Sequence, residues 1–569
     1  MSLEVTLSRI AGGESVPQAE LLPYISFAGR EQRARINSLL AAAYFQSGRK
    51  EDLQRARVFV QRAWLLGGFP ADLLPLYTQI HSALDDIPAI RHAYKRLGML
   101  AAARGDVSEA INYFDQWQYA YMQFKSLDKF EYDFDILDCM DRLAWPHRFS
   151  PKPRTGLLKS GKIRVAYLVK GITEVGSVIV KVSLLFARYH DRSRFEPMFF
   201  VPEPESAVLG SEAGPDHVRL FEAHGCRVIT APGTGTTQER LRAVARTIYD
   251  ARPDLLVTSG ALTQFQHYYI TSLRPAPFAV GLVQGPPPQF APPSLDGGLV
   301  WSKHPLIDCP VNCVWVPLRG DLPDRDKIQP YDRRELDIPV DALVVASAGR
   351  YVKFQEPGFW QAVVDLLHEF PQMYYLAMGV EESQIPFLST VLTPQSRARI
   401  RFMTWRGDSY LRGLCLADVV IDTFPSGGGG TLLDPLALGI PCVSFENDYM
   451  RLFDQTDWSL ADEFIKIPEL VVPRWDFERM KQAVGRLLED EEYRRDVGRR
   501  SQAYILETRT NPPLSVRECE DAYLRFIEDE VEELKGSAPR RAAPRWVARA
   551  ALNLKRALRL GVRVLDRVA

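Results

Sequence analysis

Two series of short apolar segments, separated by helix-like stretches, constrain the fold of this 569-residue chain more than any other feature. Alternation of strand and helix is typical of a doubly wound parallel sheet. We therefore predict an α/β protein with two tandem Rossmann-like lobes, over residues 163–325 and 326–535, and a ligand cleft between the carboxyl ends of their sheets. The predicted strands are 163–169, 196–201, 226–231, 254–260 and 278–284 in the first lobe, and 342–349, 373–379, 400–405, 418–423 and 441–445 in the second.

A different pattern precedes the first lobe. Residues 30–145 carry apolar stripes at helical spacing, interrupted by a polar turn at Ser47–Lys50. We predict an all-α domain over residues 1–146 that resembles tetratricopeptide repeats, with a generic helical bundle as the alternative. The Pro-, Gly- and Lys-rich stretch 147–162 is predicted to be a linker.

Composition excludes several classes of protein. The net charge of −1 argues against a nucleic-acid-binding protein. The seven cysteines lack a CxxC pair, which argues against a zinc site and favours reduced thiols in the cytoplasm. The N-terminus lacks the pattern of a secretory signal, and the apolar runs are too short to span a bilayer. The sequence therefore predicts a cytoplasmic protein.

The segment LADVVIDTFPSGGGGTLLDPLALGIPCVSF (416–445) carries the most chemical information. A buried strand leads into four glycines, and a helix is predicted to begin at about Thr431. Glycines let backbone N–H groups approach an anion closely, and the N-terminus of the helix attracts negative charge. Asp434, one turn into this helix, is placed to accept hydrogen bonds from ribose hydroxyls. This order of strand, glycines, helix and Asp predicts a nucleotide site.

The same segment resembles the nucleotide-sugar segment of the O-linked N-acetylglucosamine transferases and the related bacterial cytoplasmic N-glycosyltransferases. LRPAPFAVGLVQGPP (273–287) is similar to a strand of these families at the end of their first lobe. SAGRYVKFQEPGFWQAVVDLLHEFPQMYYLAMG (347–379) resembles their segment with a lysine that binds the donor diphosphate, and this lysine falls on Lys353. The resemblance covers residues 30–530 and implies the GT-B fold of two Rossmann-like lobes after helical repeats.

The resemblance also implies roles for individual residues. Lys353 would act in catalysis by neutralising the diphosphate leaving group, and Asp434 would hold the ribose. The other residues of the expected donor site are those that would cradle the phosphates, Gly428, Gly429, Gly430 and Thr431, and those near the uracil, Met403, Thr404 and Trp405. No cofactor and no metal site are expected, because two-lobe transferases of this type use the UDP-sugar without a metal ion.

The chain departs from these families where they carry histidines. Gly429 stands at a histidine position of the glycine segment, and the first-lobe loop KGITEVGSV has Lys170 and Glu174 as its ionisable residues. Glu174 is therefore a candidate general base, with a solvated loop carboxylate as the alternative interpretation. His267 is a second candidate, with a core or surface histidine as the alternative.

The C-terminal segment 536–569 is basic. From Lys535 to the end there are ten Lys or Arg residues and one acid, Asp566. Apolar residues recur at three- and four-residue steps from Trp546 onward, which predicts an amphipathic helix suited to an anionic membrane surface at the inner face of the membrane. A helix that docks on the acidic body of the protein or on a partner is the alternative.

The resemblance implies an inverting, metal-independent glycosyltransferase that moves a hexosyl or N-acetylhexosaminyl group from a UDP-sugar to a protein side chain, Ser/Thr or Asn. The helical repeats would present the acceptor protein. A first alternative is a transferase of polysaccharide or glycolipid synthesis at the membrane face, which the basic tail favours. A second alternative is a catalytically inactive scaffold, which the missing histidines favour.

Overall fold

The computed structural model divides the chain into two compact units, residues 1–124 with 138–143 and residues 125–137 with 144–569. Each unit is described by itself. The structure describes residues 2–26, 28–84, 86–122, 133–154, 161–259, 264–283, 295–301, 313–317, 319–385, 387–404, 409–425, 427, 430–446 and 460–535.

The region before the first strand is helical, as predicted. The predicted polar turn separates α3 from α4, and the buried Asp52 carboxylate holds it by accepting hydrogen bonds from Ser47 Oγ (2.7 Å) and Arg49 Nε (2.7 Å). The tetratricopeptide register remains a prediction. The helices are α1 Leu3–Ala11, α2 Gln18–Ile25, α3 Arg30–Gln46, α4 Lys50–Leu66, α5 Leu74–Ala83, α6 Ile87–Ala103, α7 Val107–Met122 and α8 Phe134–Ala144, with short 3-10 turns at Ala71–Leu73 and Trp145–His147.

The first lobe is built on a parallel sheet that contains seven strands among the described residues, in the order β3-β2-β1-β4-β5-β6-β7. Its strands are β1 Ile163–Leu168, β2 Phe195–Pro204, β3 Val228–Ala231, β4 Leu255–Ser259, β5 Phe278–Val283, β6 Gly297–Val300 and β7 Cys313–Trp315. Its helices are α9 Val178–Tyr189, α10 Glu205–Leu209, α11 Gly214–Ala223, α12 Thr237–Asp250 and α13 Phe265–Ser272. The order reverses between β1 and β4, and such a switch point is where open α/β sheets bind ligands.

The second lobe repeats this plan with six described strands in the order β10-β9-β8-β11-β12-β13. Its strands are β8 Leu343–Ala348, β9 Met373–Met378, β10 Ile400–Met403, β11 Val419–Ile421, β12 Cys442–Phe445 and β13 Val471–Val472. Its helices are α14 Pro357–Glu369, α15 Leu388–Val391, α16 Pro394–Arg397, α17 Ser409–Leu414, α18 Gly430–Ala437, α19 Leu460–Phe464, α20 Phe477–Glu489 and α21 Glu491–Arg509, with 3-10 turns at Arg325–Lys327, Arg333–Leu336, Tyr351–Phe354, Glu382–Gln384 and Pro468–Leu470. The prediction of two α/β lobes is therefore confirmed.

The last described helix, α22 (Pro512–Lys535), follows the second lobe in sequence but packs on the first. Its position in the sequence predicted that it belongs to the second lobe, because the spacing of apolar residues does not reveal which sheet a helix covers. Its buried side chains instead belong to the hydrophobic core around β1, namely Val516, Cys519, Ala522, Tyr523, Phe526 and Ile527.

A buried polar network joins α22 to the first lobe. The Glu520 carboxylate accepts hydrogen bonds from His190 Nδ1 (2.7 Å) and from the backbone N–H of Asp191 (2.9 Å). The other nitrogen of His190 lies 2.6 Å from the Tyr167 hydroxyl, which also bonds to Tyr523 (3.3 Å). Burial lowers the pKa of His190, although Glu520 opposes this effect. Because buried polar groups are costly when unpaired, this network fixes the position of α22 on the lobe.

A substitution at the contact between β6 and α22 should measure this packing. A Cβ atom added at Gly297 would lie 2.5 Å from Cε1 of Phe526, so we expect Gly297→Ala to reduce the free energy of unfolding by about 1–3 kcal/mol. Urea denaturation would measure the loss, and Phe526→Leu in the same chain should recover part of it. Gly320→Ala is the matched control, because nothing lies within 4 Å of a Cβ atom there. Equal effects of the two glycine substitutions would contradict the tight contact.

No helix among the described residues is both long enough and apolar enough to cross a bilayer. The predicted amphipathic tail, residues 536–569, lies outside the described residues, and membrane attachment remains a prediction.

Candidate functional site

The carboxyl ends of β8 and β11, neighbouring strands at the centre of the second sheet, carry the first group of candidate side chains. A 3-10 turn, Tyr351–Phe354, follows β8 and contains Lys353. Asp422 and Thr423 follow β11 directly. The Ser347 hydroxyl donates a 2.6 Å hydrogen bond to the carbonyl of Ile421 and joins the two strand ends. Ligands of open α/β sheets bind at this edge.

Lys353 is held against the backbone of the turn. The backbone N–H of Lys353 donates to the carbonyl of Arg350 (2.8 Å). A Cβ atom added at Gly349 would lie 3.2 Å from the side-chain Cδ of Lys353. Desolvation lowers the pKa of the Lys353 ammonium, Asp422 raises it, and Arg350 lowers it further. A cation held at a site that disfavours its charge binds an incoming anion strongly, since the anion supplies the missing charge partner.

Asp422 is a further candidate at this edge of the sheet, and it was not predicted from the sequence. It is 3% exposed and accepts hydrogen bonds from the Thr423 N–H (2.9 Å) and the Ser444 hydroxyl (2.6 Å). A Cβ atom at Gly427 would lie 2.5 Å from Asp422 Oδ2 and 2.6 Å from the carbonyl oxygen of Thr423, so glycine is required there for close approach. The signal was available, since an Asp at the end of an apolar strand lies at the ligand-binding edge.

Asp434 lies on α18, which begins at Gly430, one residue before the predicted start. Burial raises the pKa of the Asp434 carboxyl, whereas Lys181 of the first lobe and the nearby Tyr410 hydroxyl lower it. The hydroxyl of Thr431 is buried and has no hydrogen-bond partner among the described residues. Thr431, whose hydroxyl is unpaired among the described residues, and Asp434, with a raised pKa, therefore lie within the first two turns of one helix.

The remaining predicted donor-site residues are partly described. Met403 ends β10 at the same edge of the sheet and is buried in the second-lobe core, and Thr404 follows it half-buried. Trp405, Gly428 and Gly429 lie outside the described residues. The structure thus brings the described candidates to the carboxyl ends of β8, β10 and β11, namely Lys353, Met403, Thr404, Gly430, Thr431 and Asp434. Their roles as donor-site residues remain predictions.

The facing edge of the first sheet carries the second group of side chains. Lys170 and Glu174 lie in the loop after β1, Glu203 lies near the end of β2, and His267 lies in the first turn of α13 after β4. Glu174 is exposed, whereas His267 is wholly buried. Glu203, half-buried, was not identified from the sequence because no motif marks it. Among the described residues, no three or more His, Cys, Asp or Glu side chains are grouped so that they could hold a metal ion.

The loop between β1 and α9 is rigidly built. Gly171 has φ +74°, and a Cβ atom there would lie 2.7 Å from the Ser177 hydroxyl, so the turn requires glycine. Ser177 caps α9 by accepting from the N–H of Val180 (3.4 Å), and Nδ1 of His217 donates to the carbonyl of Ile172 (2.7 Å). This loop therefore presents Glu174 from a fixed backbone.

No protein-family model and no curated protein sequence matches the chain. Among solved structures, a mutant of the O-GlcNAc transferase of Thermobaculum terrenum is similar with a TM-score of 0.53 and 16% sequence identity, over 88% of this chain and 99% of that one. A glycosyltransferase of Rickettsia africae has a TM-score of 0.48 and 11% identity over 65% of this chain and 99% of that one. An Anabaena protein, HepE, in complex with UDP-glucose has a TM-score of 0.47 and 13% identity over 64% of this chain and 99% of that one. The first of these likenesses shows that the chain has the GT-B fold.

Proposed function

We propose that the protein is a glycosyltransferase that moves a sugar from a UDP-sugar to a side chain of an acceptor protein, with inversion at the anomeric carbon and without a metal ion. The observation that carries the proposal is the desolvated Lys353 ammonium at the carboxyl end of β8, beside the segment that leads to Asp434. A fixed cation is what a departing diphosphate needs, because negative charge accumulates on it as the glycosidic bond breaks.

The second lobe supplies the donor side of this proposal. The N-terminus of α18 and the glycine segment before it would bind the phosphates, and Asp434 would accept hydrogen bonds from the ribose. The likeness in fold to the Thermobaculum terrenum O-GlcNAc transferase supports the choice of a sugar donor. The protein acceptor is proposed from the helical region before the lobes, and attachment to an anionic membrane surface is proposed from the basic tail alone.

Binding of nucleotides tests the donor site. We expect UDP at a hundred times its dissociation constant to stabilise the protein by about 2.7 kcal/mol, and one UDP-sugar to stabilise it further. Thermal unfolding with UDP, uridine and a panel of UDP-sugars would measure this effect, with GDP as the matched control. If neither UDP nor any UDP-sugar shifts the unfolding transition, the donor site does not exist and the proposal fails.

The acceptor class requires a separate measurement. Incubation of the protein with the donor identified above and with a lysate should add the mass of one sugar to protein side chains. Transfer to an extracted lipid or polysaccharide fraction, with no modified protein, would instead favour synthesis of a glycolipid or polysaccharide.

A further inference from the structure

Four ionisable side chains lie along one edge of the first sheet. The sheet order β2-β1-β4 places side by side the strand ends from which Glu203, Lys170 with Glu174, and His267 come. The charges of Glu174 and Lys170 act on the pKa of Glu203, and the charge of Lys170 acts on the pKa of His267, as expected for neighbouring side chains. The segments that continue from β4 and β5, residues 260–263 and 284–294, contain no ionisable residue. We call these four residues the acceptor-lobe cluster.

Glu203 is the carboxyl of this cluster that protein atoms shield from water. Its Oε2 is buried and has no hydrogen-bond partner among the described residues. The pKa of Glu203 is raised to about 7, chiefly by burial and to a smaller extent by the negative charge of Glu174, whereas a backbone hydrogen bond and the charge of Lys170 oppose the rise. A carboxyl with this pKa is partly ionised at neutral pH and can both accept and release a proton there.

His267 is the second group of the cluster with unsatisfied polar atoms in the described part of the chain. Its side chain is 0% exposed, and neither ring nitrogen has a hydrogen-bond partner among the described residues. Burial, with a smaller contribution from the charge of Lys170, lowers the pKa of His267 to about 3. The ring is therefore neutral at physiological pH and too weak a base to remove the proton, so we assign that role to a carboxylate of the cluster.

The acceptor-lobe cluster lies at the same cleft as the candidate donor site. Helix α9 begins at Val178, directly after the loop that carries Glu174, and Lys181 in its first turn interacts with the Asp434 carboxyl of the second lobe. The first turn of α9, next to this loop, therefore lies within electrostatic range of α18. A sugar donor bound at α18 and an acceptor bound at the cluster would approach each other across this cleft.

We propose that Glu203 is the general base of the transfer and that the acceptor group is a hydroxyl, an inference that rests on the proposed function. The acceptor oxygen forms a bond to the anomeric carbon while the bond from that carbon to the diphosphate oxygen breaks. The bonding electrons leave with UDP, and the hydroxyl proton passes to the carboxylate of Glu203, which is half-buried. Glu174 is exposed and modulates Glu203 through its charge.

The pH dependence of turnover tests this assignment. Turnover is the release of UDP from UDP-N-acetylglucosamine and UDP-glucose, with water and then lysate proteins as acceptors, between about pH 5 and about pH 9. Because the base acts when deprotonated, kcat/KM of the wild type should rise with pH through an apparent pKa of about 7. Glu203→Gln should lower kcat by about 100-fold and remove this rise, while the Kd of UDP changes by less than about twofold.

Substitution of the charged neighbours of Glu203 should shift the pH profile of turnover, which a merely structural role of Glu203 would not predict. Glu174→Gln removes a charge that raises the pKa of Glu203, so the increase of kcat/KM with pH should move to lower pH. Lys170→Met removes a charge that lowers this pKa, so the rise should move to higher pH. The matched control is Glu205→Gln, two residues after Glu203 and exposed, which should keep the wild-type profile.

The outcomes separate the two proposals. If the wild type binds no UDP, the proposed function fails and the base assignment fails with it. If UDP binds and Glu203→Gln retains the wild-type rate and pH profile, the proposed function stands and Glu203 is not the base. A wild type that binds UDP but releases none from either sugar nucleotide, with water or protein as acceptor, also overturns the assignment.

Discussion

Replacing Lys353 by methionine should reduce the rate of sugar transfer by about 10³-fold, because the leaving diphosphate then loses the fixed cation that stabilises it in the transition state. The same substitution should weaken binding of UDP and leave binding of uridine nearly unchanged, since uridine carries no phosphate. Initial rates of UDP release, together with calorimetric titration of UDP and uridine, would measure both effects. Lys353→Arg keeps the charge, but the larger guanidinium has little room beside Gly349. We therefore expect a rate between those of the wild type and Lys353→Met.

Stability separates this catalytic role from a structural one. Desolvation lowers the pKa of Lys353, so the folded protein disfavours its charge, and methionine at this position should leave the unfolding temperature unchanged or raise it. Lys327→Met is the matched control, because the side chain of Lys327 is 81% exposed and belongs to the 3-10 turn Arg325–Lys327. A variant Lys353→Met that transfers sugar at the wild-type rate would exclude Lys353 from the reaction.

Replacing Trp360 by alanine should reduce the free energy of unfolding by about 3–5 kcal/mol. Trp360 is 0% exposed in the second-lobe core, between Tyr375 (ring centroids 5.7 Å apart) and Phe402 (6.0 Å). Its indole N–H donates a 2.8 Å hydrogen bond to the buried carbonyl of Phe354, the residue after Lys353. Urea denaturation followed by tryptophan fluorescence and by circular dichroism would measure the loss.

The hydrogen bond of Trp360 can be separated from its packing. Trp360→Phe retains an aromatic ring but leaves the Phe354 carbonyl without this donor, which should cost about 1–3 kcal/mol and weaken UDP binding through the adjacent Lys353. Trp145→Ala, at a side chain that is 68% exposed, should change stability by less than about 0.5 kcal/mol. A loss below about 1 kcal/mol for Trp360→Ala would mean that the cavity collapses or that the ring is not packed as described.

The sequence predicted most of the two sheets because their strands are buried apolar runs between helices. Each predicted strand corresponds to one of β1–β5 or β8–β12, and the ends differ by a few residues. Three strands were missed, for identifiable reasons. β6 has the sequence GGLV, and glycine has a low propensity for β-strands. β7 and β13 have three and two residues, which are too few to show the alternation of apolar and polar residues typical of a strand.

The candidate site was predictable where a local motif carried it. Lys353 and Asp434 were found because the residues around each of them resemble a known family. Asp422 could have been predicted from its place at the end of an apolar strand, although its hydrogen bond with Ser444 could not. Glu203 was missed because its pKa depends on neighbours that are distant in sequence, such as Lys170. A pKa is set by the charges and the burial that the fold creates around a group, so a single side chain in a sequence cannot reveal it.

The packing of α22 on the first lobe also determines the order in which a growing chain can fold. The side chains of Tyr523 and Phe526 complete the core of a sheet that begins at Ile163. The ribosome therefore synthesises the whole second lobe after the first lobe and before α22. Until then the nascent first lobe exposes the apolar surface that α22 will cover, and a chaperone that binds such surfaces should hold it during synthesis. The second lobe, whose core needs nothing from α22, can fold first, even though its residues are made later.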